Sequence, residues 1–488
     1  MTHVDTPQSH VRFAAARADI TPPLGIYWRM WGAATHDHAT GIHRPLTATA
    51  AVFEPLAAAL GDKGDCVALV SLDHCLLGKD EAELVISAIC KRCSLFPSQV
   101  LLTFTHTHSA GLMSLDRVGL PGGELIPPYL RKVADTCAEL VAQAKANVAP
   151  AVISYGTGKC DLAQHRDFWD EDNQLFVCGY NPEGRADDSV LVARITNEAG
   201  KVCGTLVNYA CHPTTLAWEN RLISPDYIGA MREIIERGTG GAPCIFLQGA
   251  SGELGPKEGY VGDVAVADRN GRQLGHASLS TLVSLPPPLT RFEYQGPVIS
   301  GATLGDWRHT PVHAEREAEI QKWRRKCEIL AVPYRPDLPT REGTEELLAR
   351  HTADEELAHK SSDSAAARDA HAMVERQTRL LHRLAQLPTG PAYPFDLQVW
   401  RMGDAVFVAV PGEHYSYLQT HLRTRFPGRI LVIITLAGGW GPSYVPTRET
   451  YGKGLYQESI AVLAPGSLER ITDELARRIE ELLEQDKN

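Results

Sequence analysis

The sequence predicts an α/β fold: a mixed, mostly parallel sheet flanked by helices and broken once by a helical insertion. Three observations carry that expectation. Between residues 12 and 302, short runs rich in Val, Ile and Leu alternate with longer stretches of helical spacing, which is the pattern of a sheet covered by helices. Residues 306–388 are rich in Ala, Glu, Arg, Lys and His instead. Several apolar runs also stop abruptly on polar residues, and ligands bind open α/β sheets at the carboxyl ends of the strands.

Taken in order, strands are expected at 66–73, 99–105, 188–196, 203–211 and 243–248, and helices at 79–93, 127–146 and 226–238. Helical spacing then runs over Ala314–Leu330 and Asp363–Leu387, with Pro333, Pro336 and Pro339 dividing the stretch. Strands at 394–402, 405–410 and 430–436 return to the core, and Ser467–Glu484 closes the chain as a helix. Residues 1–305 are thus expected to form the first part of the α/β core. Residues 306–388 form the helical insertion or subdomain, and 389–488 the second part of the core. No internal repeat stands out.

The chemistry sits where strands end. Val100-Leu101-Leu102-Thr103 runs into Phe104-Thr105-His106-Thr107-His108-Ser109. Alone, a His-x-His pair fits two hydrogen-bonded histidines as well as a metal site. A second run, Gly204–Cys211, ends on His212-Pro213, and the proline cannot continue a ladder. A third, Ala405–Val410, ends in Pro411-Gly412-Glu413, and a fourth, Ile430–Leu436, leads through a glycine-rich turn to Tyr444. Four candidate ligands at four strand ends point to one site on one sheet edge.

These motifs, in this order, resemble the catalytic domain of the neutral/alkaline non-lysosomal ceramidases. The resemblance also takes in Ala18-Asp19-Ile20-Thr21, Gly41-Ile42-His43 and Val67–Asp73. It continues through Thr105–Ser109, His212-Pro213, Pro411-Gly412-Glu413 and Tyr444–Tyr451. It implies one zinc ion per chain, held by His106, His212, Glu413 and Tyr444. Two imidazoles, a carboxylate and a phenol oxygen suit that metal and leave room for a water. Zinc lowers the pKa of such a water to about 7, so hydroxide is available at neutral pH. His108 would be a proton shuttle or orienting donor, and Arg166 would stabilise an oxyanion or bind a substrate oxygen. An ion pair of Arg166 with Asp167 or Asp170 is the plainer alternative. Tyr456, in Tyr456-Gln457-Glu458-Ser459, resembles the family's last active-site tyrosine but departs from its pattern at Gln457. His43 is expected near the substrate. His36 and His38 read as a polar loop lining the pocket, in preference to a second metal site.

One departure bears on specificity. After the run Ile245–Gln248 the chain reads Gly249-Ala250-Ser251-Gly252-Glu253-Leu254-Gly255-Pro256. Gly252 and Pro256 keep the family's places, Glu253 replaces an aspartate, and Gly255 stands where the family has a functionally important serine. Gly252, Glu253 and Gly255 are therefore the expected substrate-loop positions, with head-group recognition altered.

Composition narrows the partners. The chain has 488 residues, 48 Lys and Arg against 59 Asp and Glu, and a net charge of −11. It has no basic cluster to track a phosphate backbone, which argues against nucleic acid. No apolar stretch approaches the roughly 20 residues needed to span a bilayer, and the first residues lack the pattern of a secretory signal. Membrane insertion is not expected, and a cytoplasmic location is. The immunoglobulin-like C-terminal domain of the lipid-active enzymes, which are secreted or membrane-associated, is not expected either. The 11 cysteines include one Cys-x-x-Cys, Cys90 to Cys93, with no second pair, so neither a zinc knuckle nor a redox motif is read there.

The expected function is a zinc-dependent hydrolase whose metal-bound hydroxide attacks the amide carbonyl of a small or polar N-acyl substrate, in place of ceramide. An ester or sugar derivative would use the same site. A metal-dependent lyase or isomerase and a non-catalytic metal-binding protein are the alternatives of other classes. The partner is a small molecule, and the helical insertion is expected either to cover the site or to make the contact of a homo-oligomer.

Overall fold

A computed structural model describes residues 2–56 and 66–484. The expected strands and helices of the first part form, and eight strands make the central sheet. They are Gln8–Asp19 (β1), Thr47–Pro55 (β2), Val67–Leu72 (β3), Val100–Phe104 (β4), Ala149–Lys159 (β5), Ser189–Asn197 (β6), Val202–Tyr209 (β7) and Cys244–Gln248 (β8). Their order is β8-β7-β6-β5-β1-β2-β3-β4.

The sheet is mixed, and the expectation that it would be mostly parallel is corrected. Only β7 with β8 and β3 with β4 run parallel; the other neighbours are antiparallel. Each parallel pair encloses a helix, Lys79–Cys93 in one and Tyr227–Gly238 in the other. A third such unit lies in a four-stranded sheet, where Ala405–Ala409 runs parallel to Ile430–Ile434 around the helix Tyr417–Arg425. The strands that carry the candidate ligands are the parallel ones, because a crossover returns every carboxyl end to the same edge. The antiparallel strands between them are scaffold.

The layers follow from side-chain alternation. Ala50, Ala68, Val70, Leu102 and Phe104 face the helices Lys79–Cys93 and Ile126–Ala146. Val207, Tyr209 and Phe246 face Tyr227–Gly238 and Val264–Ser284. The opposite face turns Phe53, Leu69, Leu101, Tyr155, Leu206 and Ile245 onto Trp400, Phe407, Val432 and Ile434 of the second sheet. That sheet in turn packs Val406, Val408, Leu431 and Ile433 against Leu468, Ile471, Leu475 and Ile479 of the helix Ser467–Glu484. The result is helix, sheet, sheet, helix.

The central sheet also curls. Ser71 Oγ on β3 donates to the Phe246 carbonyl on β8 at 2.9 Å, although three-quarters of the sheet separates those strands in order. Asn208 on β7 ties the second sheet in, its Nδ2 donating to the carbonyls of Leu247 (3.0 Å) and Ile433 (2.7 Å).

The helix expected over 314–330 stops early. Ala314–Ile320 is helical, and Trp323–Pro333 is an edge strand paired antiparallel with Ala392–Met402. Its charged residues suit a sheet edge, and Lys326 and Glu328 form ion pairs with Glu481 and Arg478 of the last helix. Residues 306–311 likewise lie in a hairpin strand, Thr303–Pro311, paired with Thr290–Ile299. The helical part of the insertion is the pair Arg341–Lys360 and Ser364–Gln386. Among the described residues, no helix is long and apolar enough to cross a membrane.

Candidate metal centre

His106, His212, Glu413 and Tyr444 converge, each from the carboxyl end of a parallel strand. β4 ends at Phe104, and His106 adopts φ +70°, a left-handed conformation that is costly for a residue with a β-carbon. The turn is anchored by the His106 amide, which donates to the His74 carbonyl at 2.9 Å. Its ring is set from behind: Nδ1–H donates to the Cys75 carbonyl at 2.7 Å. His212 repeats the device, with Nδ1–H donating to the Ser251 carbonyl at 2.7 Å.

Those bonds fix both rings as the tautomer with a lone pair on Nε2. The two Nε2 atoms lie 3.2 Å (His106) and 3.0 Å (His212) from the same oxygen, Glu413 Oε2. The Tyr444 hydroxyl is 3.2 Å from His212 Nε2. His106 Nε2 is buried, and no hydrogen-bond donor reaches it. Three electron-pair donors facing one another in a buried space could hold a cation, and this set suits a borderline divalent metal. Burial would raise the Glu413 carboxyl, yet His106 and His212 hold it well below the usual carboxylate range. Burial would lower His106, yet without a metal Cys75 and the same carboxylate hold it well above its ordinary value. Burial, then the Arg166 guanidinium, push His212 down to about 3. An ionised carboxylate beside a neutral imidazole is the state a metal needs.

The expected supporting residues divide into two groups. Arg166 is buried and belongs to the centre: Nη2 donates to the Tyr444 hydroxyl (3.0 Å) and to the Gly252 carbonyl (2.6 Å). It pairs with neither Asp167 nor Asp170, so the ion-pair alternative falls. His108 lies beside both metal histidines, with ring centroids 4.9 Å from His106 and 6.0 Å from His212. Its Nε2 has no partner, and Trp31 covers it at 5.2 Å. Tyr456 sits edge-on to Tyr444 at 5.8 Å and is 47% exposed, so it lies at the mouth.

Gly252 and Gly255 flank Arg166. A β-carbon at 252 would strike Tyr415 at 2.7 Å, so close packing requires glycine there; one at 255 would meet only Arg166 Cδ and Thr214 Oγ1, both at 3.7 Å. Glu253 and His43 are both engaged within the protein. The Glu253 carboxylate accepts from Ser416 N (2.8 Å) and Oγ (2.5 Å), which ties the substrate loop to the start of the helix Tyr417–Arg425. Burial raises its pKa to about 7. His43 spends Nδ1 on Ser224 Oγ (2.9 Å) and Nε2 on Asp268 (3.2 Å), leaving no atom for substrate. His36 stacks on Trp28 at 5.7 Å and shares a small cavity with His108, while His38 holds the Ile26 carbonyl at 3.1 Å.

Four groups of contributors escaped the sequence reading. Cys75 and Ser251 act through backbone carbonyls, which carry no side-chain signal. Gln457, the departure from the tyrosine motif, donates to Asp167 Oδ1 (2.7 Å) and to the Gly252 carbonyl (3.3 Å), so it props the Arg166 segment. Trp31, Trp218 and Tyr260 form an aromatic wall, with ring centroids 5.7–6.3 Å apart. The fourth is Arg383, from the inserted helix.

Residues 12–247 match the family model described as neutral/alkaline non-lysosomal ceramidase, N-terminal. This chain thus resembles the N-terminal part of the neutral ceramidases over just under half of its length. It is 24% identical to the neutral ceramidase of Pseudomonas aeruginosa over 256 residues, which is 50% of this chain and 37% of that one. Neutral ceramidase A of Dictyostelium discoideum is 26% identical over 265 residues, 49% of this chain and 35% of the other. The match thus spans little more than a third of these ceramidases. The crystal structure of the Pseudomonas aeruginosa neutral ceramidase superposes with a TM-score of 0.64 at 18% identity, covering 97% of this chain and 74% of that one. A structure of a ceramidase complexed with C2 gives 0.66 at 18% identity, with 98% and 76% covered. At that identity, the likeness is one of ceramidase fold.

Proposed function

We propose that this ceramidase-family chain is a zinc-dependent amide hydrolase acting on a small or polar N-acyl compound. The observation that carries the reading is the convergence of His106 Nε2 and His212 Nε2 on one oxygen of Glu413, at 3.2 and 3.0 Å. His106, His212, Glu413 and Tyr444 would hold the ion, and a zinc so held acidifies a water and polarises a carbonyl.

The chain's own residues do the rest. Arg166, fixed by the Gly252 carbonyl, keeps the Tyr444 hydroxyl in line and presents positive charge where a carbonyl oxygen becomes negative. His108 lies beside the centre with a free Nε2, and burial, then His106 and His212, keep it neutral, so that it would orient a substrate or water as a hydrogen-bonding imidazole. The wall of Trp31, Trp218 and Tyr260 limits water on that side. Gly255, in the place of the family's serine, supports a substrate other than ceramide.

The test is metal content and turnover on protein purified without a metal-binding tag. About one zinc per chain is expected in the wild type and none in His106→Ala or Glu413→Ala. Amine release is expected from N-acyl amino acids in preference to short-chain ceramide. A wild type that takes up no zinc overturns the reading.

A further inference from the structure

We infer that Arg383, on the inserted helix Ser364–Gln386, selects substrates bearing an anionic group, such as the carboxylate of an N-acyl amino acid. The inference rests on the hydrolase reading and names its substrate class.

The helix is seated on the loops that build the centre. Gly32 packs against Ala372, and Arg379 Nη1 donates to the Met30 carbonyl at 2.7 Å, next to Trp31 on His108. Glu375 pairs with Arg117 at 2.9 Å, and His382 Nε2 meets Ser114 Oγ at 3.4 Å, both in the segment that follows His108. Gln386 Oε1 accepts from Trp440 Nε1 at 3.1 Å, four residues before Tyr444. Residues 375, 379, 382, 383 and 386 therefore share the face turned to the site.

On that face Arg383 is the cation without an anion. Its guanidinium lies over the Trp440 ring, 5.2 Å from the centroid, and it forms no hydrogen bond or ion pair among the described residues. Arg379 and Arg117, by contrast, both pair with Glu375. Burial lowers the Arg383 pKa, while Tyr456, Glu413 and Tyr444 are the site residues whose field reaches it and favours its charge. Arg166, the other guanidinium of the centre, is also satisfied by neutral oxygens only. The central carboxylate, Glu413, is already engaged by His106 and His212, so neither guanidinium is paired with it. A half-buried guanidinium stacked on an indole, with its donors unspent, is suited to two-point recognition of a carboxylate.

The experiment uses the full chain with a matched pair of probes, N-octanoylglycine and N-octanoylglycinamide, in calorimetric binding and in amine-release assays. The wild type is expected to prefer the carboxylate by about 10- to 100-fold, the range of a charged hydrogen bond. In Arg383→Gln that ratio falls to about one, and Arg383→Lys restores part of it, with melting temperatures confirming that both variants fold. A preference that is absent from the wild type, that survives in Arg383→Gln, or that cannot be seen because neither probe binds, overturns the inference. A binding preference lost in Arg383→Gln with no turnover of either probe upholds the anion site and sinks the hydrolase reading instead.

Discussion

The backbone carbonyl of Cys75 accepts the Nδ1 proton of His106 at 2.7 Å, while the Cys75 thiol stands 3.6 Å from the same nitrogen. Two groups of metal-binding side chains therefore share His106: one with His212 and Glu413, the other with Cys75 and His108. The tautomer decides between them. With its proton on Nδ1, His106 offers only Nε2, which faces Glu413.

Cys75→Ala is accordingly expected to keep its zinc and most of its activity, because the backbone carbonyl stays in place. Glu413→Ala is expected to lose the metal. Elemental analysis of the two variants side by side checks this, and loss of zinc from Cys75→Ala would transfer the site to the thiol group.

Arg232 and Asp73 form a buried two-point ion pair, at 2.6 and 2.7 Å, in the segment that delivers Cys75. Burial raises the Asp73 carboxyl, but Arg232 and Thr47 outweigh it and hold the group below its usual value. A depressed folded-state pKa contributes stability that is complete above the unfolded value of about 4 and is lost as pH falls through the folded one. Arg232→Met strands the carboxylate and is expected to cost about 3–5 kcal/mol at pH 7. In the variant Asp73 takes up a proton more readily than in the unfolded chain, so the deficit should shrink as pH falls from 7 to 5. Urea unfolding at both values measures it, and a deficit independent of pH would refute the account.

Gly255 offers room for a side chain where the family has serine. In Gly255→Ser the β-carbon meets nothing closer than 3.7 Å, and the hydroxyl is placed near Arg166. The melting temperature should hold or rise, since glycine inside a strand weakens it. Turnover of short-chain ceramide relative to N-acyl amino acids should increase several-fold. An unchanged ratio would remove position 255 from substrate selection.

Arg166→Lys removes the fork that joins Gly252 to Tyr444, and lysine does not reproduce that geometry. The loss should fall on kcat, by about 10²–10³, the scale of one oxyanion donor, with zinc retained. Steady-state kinetics beside metal analysis make the check, and a change confined to KM would assign Arg166 to ground-state binding.

The four converging residues were legible because each follows an apolar run, and a strand that stops on His, Glu or Tyr carries its chemistry in local order. Arg166 was legible by motif, although its burial and its partners were not. The internal partners of Glu253 and His43 were not legible, since a carboxylate or imidazole in such a loop looks alike whether it faces a substrate or caps a neighbouring element. Ser416 and Asp268, which engage them, are more than 160 residues away.

The amino-acid order by itself determined the ligand types, their strand-end positions and the alternation that makes the fold α/β. Tertiary structure decided the rest. β4 and β7 lie far apart in the sheet order, and only the curl recorded by Ser71 and Phe246 brings His106 to His212. Pairing with Ala392–Met402 made an edge strand of Trp323–Pro333, against its local helical spacing. The seating of the inserted helix turned Arg383 from one charge in a basic stretch into a cation stacked on Trp440, four residues before Tyr444. Local periodicity is a property of adjacent residues, whereas sheet curl, strand pairing and helix seating are set by contacts between residues distant in sequence.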